Sequence, residues 1–278
     1  MSIESKLRAT SSISLKRVDP SSTPGFKGDK ADGVKALAKG IAEIGDLQER
    51  LFAESLSGGK RSVLLVLQGM DTSGKGGTVE HVLENVDPHG LRIHSFKEPT
   101  AEEKAHDFLW RVIPQLPPAG FLGVFDRSHY EDVLIARVHQ LAPAEEIERR
   151  YGAINDFEAE QADAGMTIIK IMLHISPDEQ KSRLLARLDD PTKQWKFNPS
   201  DVDERGYWNQ YQDAYQIALE RTTTDAAPWY VVPADHKWYS RVAVQDILLT
   251  RLRELNPQWP GPTYDLAEQR ARLTGSGV

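Results

Sequence analysis

The chain has 278 residues, 40% of them hydrophobic and 27% charged, and contains no cysteine. That balance suits one large α/β domain with its own core and excludes disulfide and thiolate chemistry. The formal net charge of -7 argues against nucleic acid as a partner, although a local basic groove can still attract a polyanion. No apolar run approaches the ~20 residues of a bilayer span, and residues 1–17 are polar, without the apolar stretch of a signal peptide. A cytoplasmic protein with no membrane partner is expected.

Residues 1–30 are rich in Ser, Pro and Gly and read as a flexible, extended arm. Val34, Leu37, Ile41, Ile44, Leu47 and Leu51 recur at helical spacing, so residues 31–57 form a helix. Residues 62–67 are a short apolar run, the pattern of a strand buried on both faces. Glycines follow at once, and a helix is expected from about Thr78. Residues 91–96 suggest a second strand, and 100–112 a helix capped by Thr100. Residues 121–125 are another apolar run, ending in Asp126. Helices are expected over 131–141 and 144–164, a strand over 166–175, and helices over 177–188 and 203–222. A last strand spans 229–232 and a closing helix 238–255, with residues 257–278 as a tail. Strands alternating with helices imply a mostly parallel sheet sandwiched by helices. There is no internal repeat, and one phosphate loop implies one catalytic domain, over 31–256.

The loop carries the chemistry. Gly69, Gly74 and Lys75 have the G-x-x-x-x-G-K spacing of a P-loop between a strand and a helix. Glycines let the backbone N–H groups wrap an anion, and the helix N-terminus adds partial positive charge. Gly76 and Gly77 extend the wrap, and the Lys75 ammonium would bridge phosphates. The competing account is a glycine-rich turn with an exposed lysine, which the preceding strand argues against. The Ser/Thr that usually follows the lysine and holds magnesium is Gly76 here. Magnesium must then lean on carboxylates, of which Asp71 in the loop and Asp126 at the end of the next apolar strand are the candidates.

Arg127 follows Asp126 and suits bidentate phosphate contact, and Glu131 and Asp132 extend the polar cluster. For these two acids, a plain preference for a helix's first turn is the competing explanation. Lys181, Arg183 and Arg187 share one predicted helix, with Lys193 and Lys196 beyond it. Such a segment, about 177–210, could close as a helical lid over phosphates, although a solvated helix face would look the same. Lys97, after the second strand, is a further phosphate candidate. The eight histidines show no metal-ligand spacing.

Five segments together resemble the polyphosphate kinase 2 family: GMDTSGKGG (69–77), FKEPT (96–100), FDRSHYEDV (125–133), DPTKQWKFNPSD (190–201) and APWYVVPADHKWYSR (227–241). The resemblance runs from about residue 32 to 256. It implies a thymidylate-kinase-like P-loop fold with a helical lid. It also implies magnesium-dependent phosphoryl transfer between inorganic polyphosphate and a nucleotide (AMP, ADP or ATP), in a homodimer or homotetramer. By that resemblance Asp71, Lys75, Asp126 and Arg127 are catalytic and phosphate-binding positions, and Arg183 and Arg187 are lid arginines. Glu131 follows Tyr130 where the diphosphate-only subgroup typically has asparagine, so the chain resembles the single-domain subgroup that accepts both AMP and ADP. Two other activities share these motifs. One is an ATP-dependent nucleoside monophosphate kinase. The other is a P-loop switch or hydrolase, for which no residue that would orient an attacking water is identifiable.

Overall fold

The computed structural model describes residues 2–275. In chain order the elements are α1 (Ile3–Leu7), α2 (Lys30–Leu56), β1 (Ser62–Gln68), α3 (Lys75–Val82), β2 (Leu91–Ser95), β3 (Leu122–Asp126), α4 (Ile135–Val138), α5 (Ala144–Asp163), β4 (Met166–His174), α6 (Pro177–Asp189), α7 (Ser200–Glu204), α8 (Trp208–Thr222), β5 (Trp229–Pro233), α9 (Lys237–Leu255) and α10 (Leu266–Gly275). All five expected strands are present. They form one parallel sheet in the order β2-β3-β1-β4-β5. Every residue of β1 is buried, as a central strand covered on both faces requires. Helices α2, α3 and α9 pack together on one side, and α4, α5 and α8 on the other. Right-handed crossovers impose this division, because the chain moves one way from β1 to β2 and the other way from β3 through β4 to β5.

The strand order reverses at β1, which is where an open α/β sheet leaves a crevice beyond its carboxyl ends. The register sharpens this. Leu67 pairs with Asp126, and the Arg127 N–H donates to the Leu67 carbonyl at 3.1 Å. The phosphate loop and the acidic end of β3 are therefore neighbours by sheet geometry.

Several expectations differ from the structure, among them the helix expected over 203–222, which is broken between α7 and α8. The N-terminal arm is not loose. Ile3, Leu7, Ala9 and Leu15 are buried in the core, and the Ala9 N–H donates to the Trp229 carbonyl at 2.8 Å. Arg8 forms an antiparallel bridge with Tyr230, so the arm covers the open edge of β5. Residues 100–112 are not an α-helix. Thr100 and Glu103 do make a reciprocal capping box, but only one 3-10 turn follows, Glu103–Ala105. Arg111 is drawn instead to the Lys97 carbonyl at 2.8 Å and to Asp132 at 3.3 Å, and these tertiary contacts override propensity. The helix expected over 131–141 is a 3-10 turn, His129–Asp132, followed by the single turn of α4, because His129 and Tyr130 turn inward and are buried. In the tail, α10 is exposed, and Trp259 meets the Arg50 guanidinium at 5.8 Å.

Candidate active site

The loop between β1 and α3 has the geometry an anion cradle needs. Gly69 has φ +152°, and a Cβ there would lie 2.7 Å from both the Leu173 carbonyl oxygen and Ser73 Oγ, so only glycine fits. Gly74 sits at φ +110° as the N-cap of α3, which begins at Lys75, three residues earlier than expected. Beside Gly76 a Cβ would meet open space, and beside Gly77 only the Arg241 guanidinium, so this end of the loop faces the cavity. Thr72 Oγ1 and Ser73 Oγ are buried without partners. Orphaned hydroxyls of this kind mark a polar surface that lacks its complement.

Lys75 Nζ donates to the Gly69 carbonyl at 2.7 Å, so the side chain curls over its own loop. Burial and the neighbouring Arg127 push the Lys75 pKa down, against Asp71, Asp126 and Glu131. Arg127 is the hub of this cluster. It holds a left-handed backbone, φ +63°, which costs a non-glycine residue energy and persists where the surroundings impose it. Its guanidinium donates to Asp71 at 2.8 Å and to Glu131 at 3.4 Å. Burial works against its charge, but Glu131 and Asp71 outweigh that and raise its pKa. Burial pushes the Glu131 carboxyl up, while Arg127, Lys75 and Gln68 hold it down. The Asp126 carboxylate, half-buried, accepts no hydrogen bond and forms no ion pair among the described residues.

Asp71, Lys75, Asp126 and Arg127 line a cavity of about 590 Å³, whereas Glu131 does not line it and bears on it through Arg127. The loop, Asp126 and Arg127 line it together with Arg187, Lys193, Lys196, Lys237 and Arg241, which give it a basic wall, and Arg241 stands beside the loop at Gly77. Lys193 and Lys196 are thus brought in as expected. Arg187 donates to the Lys196 carbonyl at 3.1 Å and to Asp201 at 3.4 Å, tying the lid segment to itself. Lys97 is exposed beyond the end of β2 and does not line this cavity.

Arg183 reaches the site, but not as a free phosphate ligand. It donates to Glu179 at 2.7 Å, to the Thr72 and Ser73 carbonyls at 2.9 and 3.0 Å, and to the Ala234 and Asp235 carbonyls at 2.6 and 2.9 Å. Its five N–H donors are all engaged. The side chain therefore clamps the loop to the end of β5 rather than reaching for substrate. Gln180 helps: its amide donates to the Asp71 carbonyl at 3.1 Å and accepts from Arg205 at 2.7 Å.

Sequence reasoning missed Lys237, Arg241 and Gln180. Lys237 is the first residue of α9, where a cation faces an unfavourable helix dipole, and Arg241 lies one turn on, on the same face. A base at a helix start is a signal that a nearby anion could explain.

The model of the family Polyphosphate kinase 2 (PPK2) matches residues 27–260. The chain belongs to the polyphosphate kinase 2 family. It is 48% identical over 248 residues to the AMP/ADP-polyphosphate phosphotransferase of Meiothermus ruber, covering 89% of this chain and 91% of that one. It is 39% identical over 273 residues to the ADP-polyphosphate phosphotransferase of Rhodopseudomonas palustris, covering 92% and 91%. The crystal structure of polyphosphate kinase 2 from Arthrobacter aurescens TC1 superposes with a TM-score of 0.97 at 55% identity, over 99% of this chain and 98% of that one. For a polyphosphate kinase 2, the five-stranded sheet with its loop after β1 is the P-loop kinase fold expected from the sequence.

Two carboxylates in this site can hold a metal. Asp71 and Asp126 line the same cavity and offer hard oxygen donors. Among the described residues, no group of three or more His, Asp or Glu is placed to hold a metal alone. A pair of carboxylates is a donor set that suits a small hard cation, which takes one or two carboxylates and fills its shell with water and phosphate oxygens.

Proposed function

We propose that this chain transfers a phosphoryl group between inorganic polyphosphate and AMP or ADP, with magnesium. The observation that carries this reading is the concentration of positive charge in one cavity. Besides Lys75, Arg127 and two carboxylates, five further cations from the lid segment and α9 line it. A mononucleotide does not need so many cations, whereas a linear polyanion does. The relative at 48% identity is named for both AMP and ADP, which agrees with Glu131 at its position.

In the forward direction an acceptor phosphate oxygen attacks the terminal phosphorus of polyphosphate. The bond from that phosphorus to the chain's bridging oxygen breaks, and the shortened polyphosphate leaves as the anion. Little covalent chemistry falls to the protein, so catalysis is positioning and charge neutralisation. Lys75 and the loop N–H groups hold the transferring phosphates, Arg127 orients them from the β3 side, and the basic wall holds the donor chain. Magnesium, when bound by Asp71 and Asp126, would neutralise charge on the phosphate oxygens. Closing of 177–210 as a lid would exclude water, and a homodimer or homotetramer in the cytoplasm is the proposed working form.

The deciding experiment supplies polyphosphate with AMP, then with ADP, and no ATP. ADP and ATP should form, respectively. Turnover of AMP only when ATP is the donor would favour a nucleoside monophosphate kinase. Asp126→Asn should raise the magnesium concentration for half-maximal activity at least about 10-fold, through loss of one charged oxygen ligand. Asp71→Asn should do the same and also loosen Arg127. A magnesium titration unchanged in both variants removes the carboxylates from the metal site.

Glu131 bears on the acceptor. AMP is one phosphate shorter than ADP, so an enzyme serving both must bridge the gap. Glu131 pairs with Arg127 from the turn after β3 and can orient the acceptor phosphate through it. Glu131→Asn removes the charge and shortens the reach. The ratio of kcat/KM for AMP over ADP should fall about 10-fold, the worth of one charge-assisted hydrogen bond. An unchanged ratio would show that Glu131 does not set acceptor choice.

A further inference from the structure

A buried polar cluster lies beneath the turn that follows β3. Lys170, in the middle of β4, is 0% exposed, and Glu158, on α5, is 1% exposed. Lys170 Nζ donates to Glu158 Oε2 at 2.5 Å, to the Tyr130 hydroxyl at 2.9 Å and to the Thr222 carbonyl at 2.7 Å. Its three donors thus meet three acceptors. Glu158 Oε1 accepts from the Tyr130 hydroxyl at 2.9 Å and from His129 Nε2 at 3.2 Å. The ammonium also lies 5.4 Å and 5.3 Å from the ring centres of Tyr130 and Trp229.

Stability alone does not account for such a pair. Taking two charges out of water is costly, and apolar residues of like volume often replace a buried ion pair without loss. What the pair does here is geometric. His129 and Tyr130 lie between Arg127 and Glu131 in the chain, and their side chains point down into the cluster. The turn is thereby fastened to β4 by Lys170 and to α5 by Glu158, and Lys170 in turn is tied to the carbonyl of Thr222, the last residue of α8. Directional hydrogen bonds admit one placement of the turn, where apolar packing would tolerate several. Above them, Arg127 keeps its left-handed backbone and meets Asp71.

We infer that the Lys170–Glu158 pair, acting through Tyr130 and His129, positions the turn that carries Arg127 and Glu131 against the phosphate loop. These are positioning residues that touch no substrate, and the inference rests on the roles proposed above for Arg127 and Glu131.

The test has three parts. The first is the triple variant Glu158→Leu, Lys170→Met and Tyr130→Phe, which removes both charges and the shared hydroxyl at nearly constant volume. Its Tm should fall by no more than the loss of the partners of the Thr222 carbonyl and His129 Nε2 accounts for, while kcat falls about 10-fold or more with KM for AMP and polyphosphate little changed, since a small misplacement of a catalytic group is enough. The second is Arg127→Ala, alone and in the triple background. Its loss should be much smaller in that background, because groups acting as one unit are not additive. The third is Tyr130→Phe alone, which keeps both charges and decides the matter if the triple variant does not fold. It should lower kcat several-fold at wild-type KM. Wild-type kcat in the folded triple variant, or in Tyr130→Phe if the triple does not fold, with Arg127→Ala impaired, overturns the positioning role. Full activity of Arg127→Ala would instead overturn the site on which the inference rests.

Discussion

Lys75→Ala is expected to lower kcat for phosphoryl transfer roughly 100-fold or more, the usual cost of removing one preorganised charge from a transferring phosphoryl group. The fold should survive. The Lys75 ammonium has one hydrogen bond, to the carbonyl of Gly69, and burial already disfavours its charge. Removing it takes away a desolvated cation with a single hydrogen bond rather than a support. Thermal unfolding should therefore stay within a few degrees of wild type while turnover collapses. Lys75→Arg should recover little, because the present side chain is folded back onto the Gly69 carbonyl and a planar fork does not replace a point charge. Turnover near wild type in Lys75→Ala would take the loop out of the mechanism.

Arg183→Ala should fail in the opposite order, on stability first. The sequence suggests a lid arginine whose loss would spare the fold, but the residue is 7% exposed and all five donors are engaged. Truncation strands the Thr72, Ser73, Ala234 and Asp235 carbonyls. Unsatisfied buried acceptors cost ~1–3 kcal/mol each before relaxation or water entry, so a net loss of roughly 3 kcal/mol or more is expected. Activity should fall with it, since the loop backbone would no longer be held to the end of β5. Arg187→Ala is the contrast. Its contacts stay within the lid segment, so it should weaken polyphosphate binding at nearly unchanged Tm. Chemical denaturation of the two variants side by side separates clamp from ligand. Equal stability of both would return Arg183 to the substrate track.

The sheet was legible because its strands are short apolar runs bounded by turn residues, and the phosphate loop because glycine spacing after a strand has few other uses. Asp126 and Arg127 were legible for the same reason, standing where an apolar strand stops. The N-terminal arm was not, because four buried residues spread over Ile3 to Leu15 are lost among serines and charges, and only the open edge of β5 gives them a place to bind. The 100–112 segment carried a sound capping box, and the pull of Arg111 on Asp132, 21 positions away, is invisible to local pattern. Arg183 and Arg187 look identical on a helical wheel. What separates them is the backbone of two distant loops that happen to converge on one. Lys170 was a single polar residue within an apolar strand, and its partner Glu158 lies on the polar-looking α5. Pairings of this kind are fixed by tertiary packing and leave no periodic trace.

The most direct test of the account follows the phosphorus itself. Uniformly 32P-labelled polyphosphate is incubated with unlabelled AMP, magnesium and enzyme, without ATP, and the nucleotides are separated. Label should appear in ADP at a rate that Lys75→Ala lowers about 100-fold, while the variant remains folded. No label in the nucleotide, or the same rate of labelling in Lys75→Ala, would contradict transfer from polyphosphate at this loop.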